Sequence, residues 1–372
     1  MSLLFEKNCL AGIQLQNRSV RSATYEGIAS TDGLMTPELI DEMIKLSEGE
    51  VGLIISGHAY ISIEGQAGPL QMAVDRDECL PGLTEMAKAV HDAKSKMIVQ
   101  LAHAGAQAFN AETAIGPSPI IGAASASLCQ EMSVSEIKNT INSFADAALR
   151  TKEAGFDGVQ IHAAHGYCLS QFLSPFFNKR TDEYGGDIIG RSKIVLEVLE
   201  QIKEKCGADY PVIIKINSED FIDGGFSQED CLTVCGMLEE NGIDAIELSG
   251  GSLAGSRKGF EPIRRGDLKI DDETYYLETA KEFKEKINVP LILVGGIRFY
   301  ENAEKLLEEK VCDYISFCRP LIREPKLIKR WHSGDKSRAT CISCNLCLLS
   351  VMKGIALHCV VEKKLQDKQN KS

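Results

Sequence analysis

The sequence predicts an α/β protein built as a (β/α)8 barrel, on three observations. Eight short apolar runs rich in β-branched residues recur along the chain, each followed by a longer stretch of helical periodicity. The runs are continuous rather than alternating, the pattern of parallel strands buried on both faces. Each run ends in polar or glycine-rich residues, on the face where barrel active sites lie. A doubly wound open sheet is the other arrangement open to the same units.

In chain order, the predicted strands cover residues 20–24, 51–56, 97–101, 159–161, 212–216, 245–249, 291–294 and 314–317. Between them lie helices with readable starts. Ser133-x-x-Glu136 is a capping box ahead of an apolar stripe of Ile137, Ile141, Phe144, Ala145 and Ala148. Ser227-x-x-Asp230 opens a second helix, with Leu232, Val234, Cys235 and Leu238 behind it. Residues 301–309 form a third. Residues 102–132, rich in Ala, Gly, Pro and Ser, read as a loop over the barrel mouth. The barrel occupies residues 1–330, and residues 331–372 form a cysteine-bearing extension whose Lys/Gln/Asp-rich end, 362–372, is expected to fray.

Composition narrows the function. A formal net charge of -12 without a basic stripe excludes a nucleic-acid partner. No apolar run reaches the roughly 18 residues of a membrane span, and the first ten residues lack a signal-peptide profile. A cytoplasmic protein is expected, and a symmetric homo-oligomer is the default for a barrel. Thirteen cysteines in a chain of this size argue for reduced thiols rather than a disulfide scaffold.

The segment Gly158-Val-Gln-Ile-His-Ala-Ala-His-Gly-Tyr-Cys-Leu169 carries the densest chemistry. Its apolar strand breaks into His162, His165 and Tyr167, three groups placed to hold a polar substrate at a strand end. One histidine alone would more often be structural; three such groups together reverse that reading. Val294-Gly295-Gly296-Ile297 and Ser316-Phe-Cys318-Arg319-Pro320 follow the seventh and eighth strands, where barrels often bind phosphate. Glycine lets backbone N–H groups approach an anion, and Arg319 adds a charged fork. Gln100, with His103 behind it, ends the third strand, Thr24 ends the first, and Lys215 ends the fifth. Lys215 faces either an anionic ligand or a carboxylate, Glu219 or Asp220. Amide, hydroxyl, cation and phosphate clamp around one cavity suit a planar phosphorylated cofactor.

Arg21-Ser-Ala-Thr24, Gln100-Leu-Ala-His-Ala-Gly105, His162-Ala-Ala-His-Gly-Tyr167, Gln171-Phe-Leu-Ser-Pro175, Asn178-Lys-Arg-Thr-Asp-Glu-Tyr-Gly-Gly186 and the Gly-Gly and Cys-Arg-Pro pair resemble the Old Yellow Enzyme family of FMN-dependent NADH:flavin oxidoreductases and ene-reductases. The resemblance runs in order over about residues 4–325. It implies a TIM barrel with FMN held noncovalently and NAD(P)H as co-substrate. Ala23, Thr24 and Ala59 would line the flavin, and Gln100 would bond its pyrimidine edge. Lys215, where the family often has arginine, would stabilise charge on the reduced ring. Gly295, Gly296, Cys318 and Arg319 would bind the phosphate, although the family commonly has glycine at the Cys318 position. His162 and His165 would hold the substrate oxygen, and Tyr167 would protonate the α-carbon as hydride reaches the β-carbon of an unsaturated carbonyl compound.

Cys341-x2-Cys344-x2-Cys347, then eleven residues to Cys359, suits a [4Fe–4S] cluster, with structural zinc as the alternative. The stretch resembles the cluster segment of iron–sulfur members of the same family, 2,4-dienoyl-CoA reductase and trimethylamine dehydrogenase. No Gly-x-Gly-x-x-Gly follows a strand and the sequence stops at Ser372, so no dinucleotide domain of its own is expected. Electrons would arrive from NAD(P)H or from a ferredoxin-like partner. An amine dehydrogenase or demethylase, and an Fe–S-fed electron-transfer subunit, are the competing readings.

Overall fold

The computed structural model describes residues 2–110, 112, 114–120, 128–252 and 273–370. Eight parallel strands close into a barrel: β1 (Ser19–Arg21), β2 (Leu53–Tyr60), β3 (Lys96–Ala102), β4 (Val159–Ala163), β5 (Val212–Asn217), β6 (Ala245–Ser249), β7 (Leu291–Val294) and β8 (Tyr314–Phe317). Each pairs with its sequence neighbours, and β8 closes on β1. The closed barrel settles the choice against an open sheet. Every residue of β2, β4, β5 and β6 is buried, as continuous Val/Ile/Leu runs require when helices cover the outer face.

Both capping boxes form. Ser133 opens Val134–Glu153 and Ser227 opens Gln228–Glu240, each with the reciprocal side-chain bonds in place. The third expected helix is Tyr300–Glu308. Three local departures matter. β1 ends at Arg21, because the Arg21 guanidinium turns inward to Glu26 at 2.6 Å and residues 22–28 leave the sheet as a loop. β2 runs on to Tyr60, with a register shift against β3 between Ile55 and His58. The expected frayed end carries a helix, Val360–Gln369, none of whose residues is buried; its first turn is tied to the barrel by Arg323 and Glu362 at 3.3 Å.

A hairpin outside the predicted strands, Asn8–Leu10 with Ile13–Leu15, plugs the bottom of the barrel. Its Leu10, Ile13 and Leu15 pack on Val20, Leu53, Ile98, Ile213, Ile292 and Tyr314 of the strands. Apolar side chains therefore fill the lower interior, and polar groups are confined to the upper, C-terminal half.

Asp157 locks β4 to its surroundings by accepting from His91 Nε2, Lys96 Nζ and the Met97 N–H at 2.7, 2.8 and 2.9 Å. Burial works against its charge, but these bonds outweigh it and hold the carboxyl below its ordinary range. A depressed carboxyl pKa stabilises the fold above the unfolded value near about 4, and that gain disappears as pH falls through the folded value. Asp157→Asn should cost about 1.5–3 kcal/mol at pH 7. Unfolding compared at pH 7 and in acid below about pH 4 should show the gap between variant and parent closing in acid.

Candidate functional site

Above the apolar plug, a chain of buried polar side chains crosses the barrel. Gln100 Nε2 donates to Gln160 Oε1 at 2.7 Å, and Gln160 Nε2 donates to Glu247 Oε2 at 2.7 Å. Ser316 Oγ donates to Glu247 Oε1 at 2.9 Å. Lys215 Nζ stands 3.2 Å from Glu247 Oε2 and donates to Ser22 Oγ at 2.7 Å. The parallel register sets Lys215 beside Glu247 on one side and His162 on the other. Neither Glu219 nor Asp220 is the partner of Lys215, which corrects the sequence expectation. Asp220 accepts instead from Asn217 and the Phe226 N–H, beyond the end of the strand. A carboxylate inside the otherwise apolar run Ala245–Ser249 was the sequence signal for Glu247, since such a group is buried only when paired.

His162 lies one residue before the end of β4, and the chain then reverses through left-handed His165 and Gly166, with φ of 63° and 78°. The reversal folds His165 back to lie 5.3 Å, ring to ring, from His162, and brings Tyr167 to 4.9 Å from His162. His165 Nε2 sits 2.7 Å from Ser249 Oγ, and its backbone N–H donates to Asn217 Oδ1 at 3.1 Å. The three residues singled out from sequence thus converge. A fourth, His58 of β2, joins them with Nε2 3.1 Å from the Tyr167 hydroxyl. Burial, and then Lys215 and the neighbouring imidazoles, push His162 well below its ordinary value. Burial, then Lys215 and His58, push His165 down to about 3, and burial with Lys215 pushes His58 down to about 4. Burial raises Tyr167 to about 12. At neutral pH the mouth therefore holds neutral imidazoles and a protonated phenol. The Nδ1 atom of His162 is buried without a partner, as in a site that a ligand completes.

Ala23 and Thr24 are half-buried at the rim, and Thr24 Oγ1 lies 3.3 Å from Cys318 Sγ. Ala59 is placed differently from the expectation. It has no exposed surface and packs in the core between strands and helices, because strand alternation turns it outward while His58 faces in. His103 accepts from the Gly105 N–H at 3.0 Å and packs under Gly65, where a Cβ would meet its ring at 2.4 Å. Gly295 and Gly296 carry φ of 124° and 85°, and a Cβ on Gly296 would stand 2.7 Å from Tyr275. Only glycine fits this turn.

The cysteine segment docks on the same turn. Buried Arg298 donates from Nη1 to the Gly296 carbonyl at 2.7 Å, from Nε to the Cys341 carbonyl at 3.0 Å, and from Nη2 to Ser343 Oγ. Arg319 Nη1 donates to Asn345 Oδ1 at 2.7 Å, so this guanidinium stands at the seam between barrel and extension. The Leu357 N–H donates to the Glu26 carbonyl at 2.9 Å, reaching the loop behind β1. Cys341, Cys344, Cys347 and Cys359, all free thiols, line one cavity with Arg319 and Arg323 in its wall. Among the described residues, no three His, Cys, Asp or Glu side chains are drawn close enough to hold a single metal ion.

Removing Lys215 leaves Glu247 as an uncompensated buried charge. Lys215→Met should therefore destabilise the protein by about 3–5 kcal/mol. Lys215→Met combined with Glu247→Gln should recover most of that loss, measured by denaturant unfolding of the two single variants and the double.

Within the described residues, no helix is long and apolar enough to cross a membrane. Over 366 residues the chain is 33% identical to an NADH oxidase of Thermoanaerobacter brockii, covering 96% of this chain and 55% of that protein. Over 368 residues it is 34% identical to a metal reductase of Desulforamulus reducens, covering 97% and 53%. The chain thus spans about half the length of these two relatives. Among solved structures, 2-naphthoyl-CoA reductase superposes with a TM-score of 0.87 at 27% identity, over 96% of this chain and 56% of the other. Histamine dehydrogenase from Rhizobium sp. 4-9 follows at 0.84 and 26%, over 96% and 52%. Morphinone reductase, at 0.76 and 23% over 89% and 91%, shares the fold. The profile of the NADH:flavin oxidoreductase / NADH oxidase family matches residues 4–337, and with the barrel and its mouth in view the chain belongs to that family.

Proposed function

We propose that the protein is an FMN-dependent oxidoreductase that passes hydride from NAD(P)H to a C=C bond activated by a neighbouring carbonyl. One observation carries the reading: neutral His162 and His165 stand beside protonated Tyr167 at the mouth, above the Lys215 ammonium. Bound FMN would supply the hydride. Ala23, Thr24, Gln100 and Lys215 would hold its ring, and Gly295, Gly296, Cys318 and Arg319 its phosphate. The half-open rim and the glycine turn without room for a Cβ suit such a ligand.

The two imidazoles donate hydrogen bonds to the substrate oxygen, where negative charge grows as the β-carbon is reduced. Tyr167 gives its proton to the α-carbon. Lys215 supplies the positive field on which the growing charge is stabilised. The same field disfavours a cationic amine, so the amine dehydrogenase reading, which the histamine dehydrogenase likeness keeps in view, stands second. A bare electron-transfer subunit would have no use for the histidine–tyrosine group.

The four thiols around one cavity support a [4Fe–4S] cluster, whose ligands stand at the corners of a cage. Structural zinc, held by four thiolates at about 2.3 Å, is the alternative. Arginines in the cavity wall offset thiolate charge. Such a cluster would accept single electrons from a ferredoxin-like donor, beside two-electron delivery by NAD(P)H at the mouth.

Two experiments test this. An anaerobic absorption spectrum with iron, zinc and sulfide assays should show flavin bands over a broad shoulder and about four irons per chain. Cys344→Ala should remove the shoulder and the iron while the flavin bands stay. No flavin after reconstitution with FMN overturns the whole reading, and one zinc without iron overturns the cluster alone. Tyr167→Phe should slow the enone-reducing step about 10²–10⁴-fold, followed as flavin reoxidation by 2-cyclohexen-1-one.

A further inference from the structure

His58 lies outside every motif named from the sequence, yet it touches the proposed proton donor. We infer that His58 is a positioning residue for Tyr167: its Nε2–H donates to the phenol oxygen, leaving the phenol's own proton free to face the substrate. The inference rests on the ene-reductase reading above and deepens it.

Two independent observations carry it. The first is backbone. The β2–β3 register is regular through Ile55 and resumes at His58, with Ser56 and Gly57 absorbed in between. Bulges of this kind re-aim a side chain beside a site. Here the irregularity is held in place: the Gly57 N–H donates to Glu26 Oε1 at 3.1 Å, Ser56 Oγ accepts from the Gln100 N–H at 3.1 Å, and Gln71 Nε2 donates to the His58 carbonyl at 2.9 Å. A Cβ at Gly57 would stand 2.7 Å from the Thr24 carbonyl oxygen, so a larger residue would displace the turn that aims His58 inward.

The second is the imidazole itself. It is buried, Nε2 lies 3.1 Å from the Tyr167 hydroxyl, the Tyr25 ring packs on it at 5.2 Å, and Nδ1 has no partner. Burial and Lys215 keep it neutral, so it carries one proton. With that proton on Nδ1, the buried N–H would meet only its own carbonyl, which Gln71 already bonds, and Tyr167 would have to donate toward His58, away from the substrate. With the proton on Nε2, only a lone pair goes unmatched, the cheaper defect. The second tautomer also serves the chemistry. When the Tyr167 O–H bond breaks and the α-carbon–H bond forms, the charge left on the phenol oxygen already receives the His58 Nε2–H bond. Water restores the phenol proton after product leaves.

The test is reoxidation of dithionite-reduced, FMN-loaded protein by 2-cyclohexen-1-one without oxygen, in H2O and in D2O. His58→Ala should slow it about 10–100-fold and enlarge the solvent isotope effect, since proton transfer becomes limiting. His58→Gln, which keeps an N–H donor at nearly the same reach, should regain most of the rate. An unchanged rate in His58→Ala, or a slower rate with an unchanged isotope effect and no gain from Gln, overturns the positioning role. Tyr167→Phe separates the two readings. If it slows the step while His58→Ala does not, only the role of His58 falls. If it too is without effect, the ene-reductase reading falls with it.

Discussion

The buried pair of Lys215 and Glu247 governs the upper half of this barrel. Both side chains are shut off from water, and they lie side by side only because β5 and β6 run parallel in that register. Glu247 collects three donors, from Gln160, Ser316 and Lys215, so its charge is fully compensated. Breaking one partner of such a group leaves a buried charge behind, which costs far more than a surface pair is worth. The pair therefore fixes the polar layer on which Gln100, Ser22 and His162 take their positions.

Burial sets the protonation of the mouth, and the same ammonium reinforces it at the histidines. His58, His162 and His165 all feel Lys215 in addition to burial, and both effects favour the neutral ring. A neutral imidazole keeps one donor and one acceptor, so its direction is decided by what the other nitrogen meets. Tyr167, protonated for the same reason of burial, keeps its O–H as a donor. A group of this kind needs no titration near neutrality. It needs fixed directions.

A second constraint joins the barrel to its extension. Arg298 is buried and divides its donors between the Gly296 carbonyl and the Cys341–Ser343 backbone and hydroxyl. The glycine turn and the cysteine segment are thus bonded together, and Arg319, bonded to Asn345, reinforces the seam. The extension is anchored a second time where Leu357 meets Glu26, on the loop that also pairs with Arg21.

Much of this was legible in the sequence because it is local. Continuous apolar runs dictated parallel strands, and two Ser-x-x-acid boxes dictated helix starts. The break after Ile161 placed three reactive groups within six residues of one another. Short-range geometry decides such features, and the chain carries it in spacing alone. The partner of Lys215, the inward aim of His58, the outward face of Ala59 and the bond from Arg298 to Cys341 were not legible. Each joins residues far apart in the chain, or depends on a single irregular step in strand pairing, and a one-residue shift exchanges the two faces of a strand. The sequence by itself determined which elements form and which chemistry is available. The closed tertiary structure decided which of those groups meet, because burial and register are set only when the barrel closes.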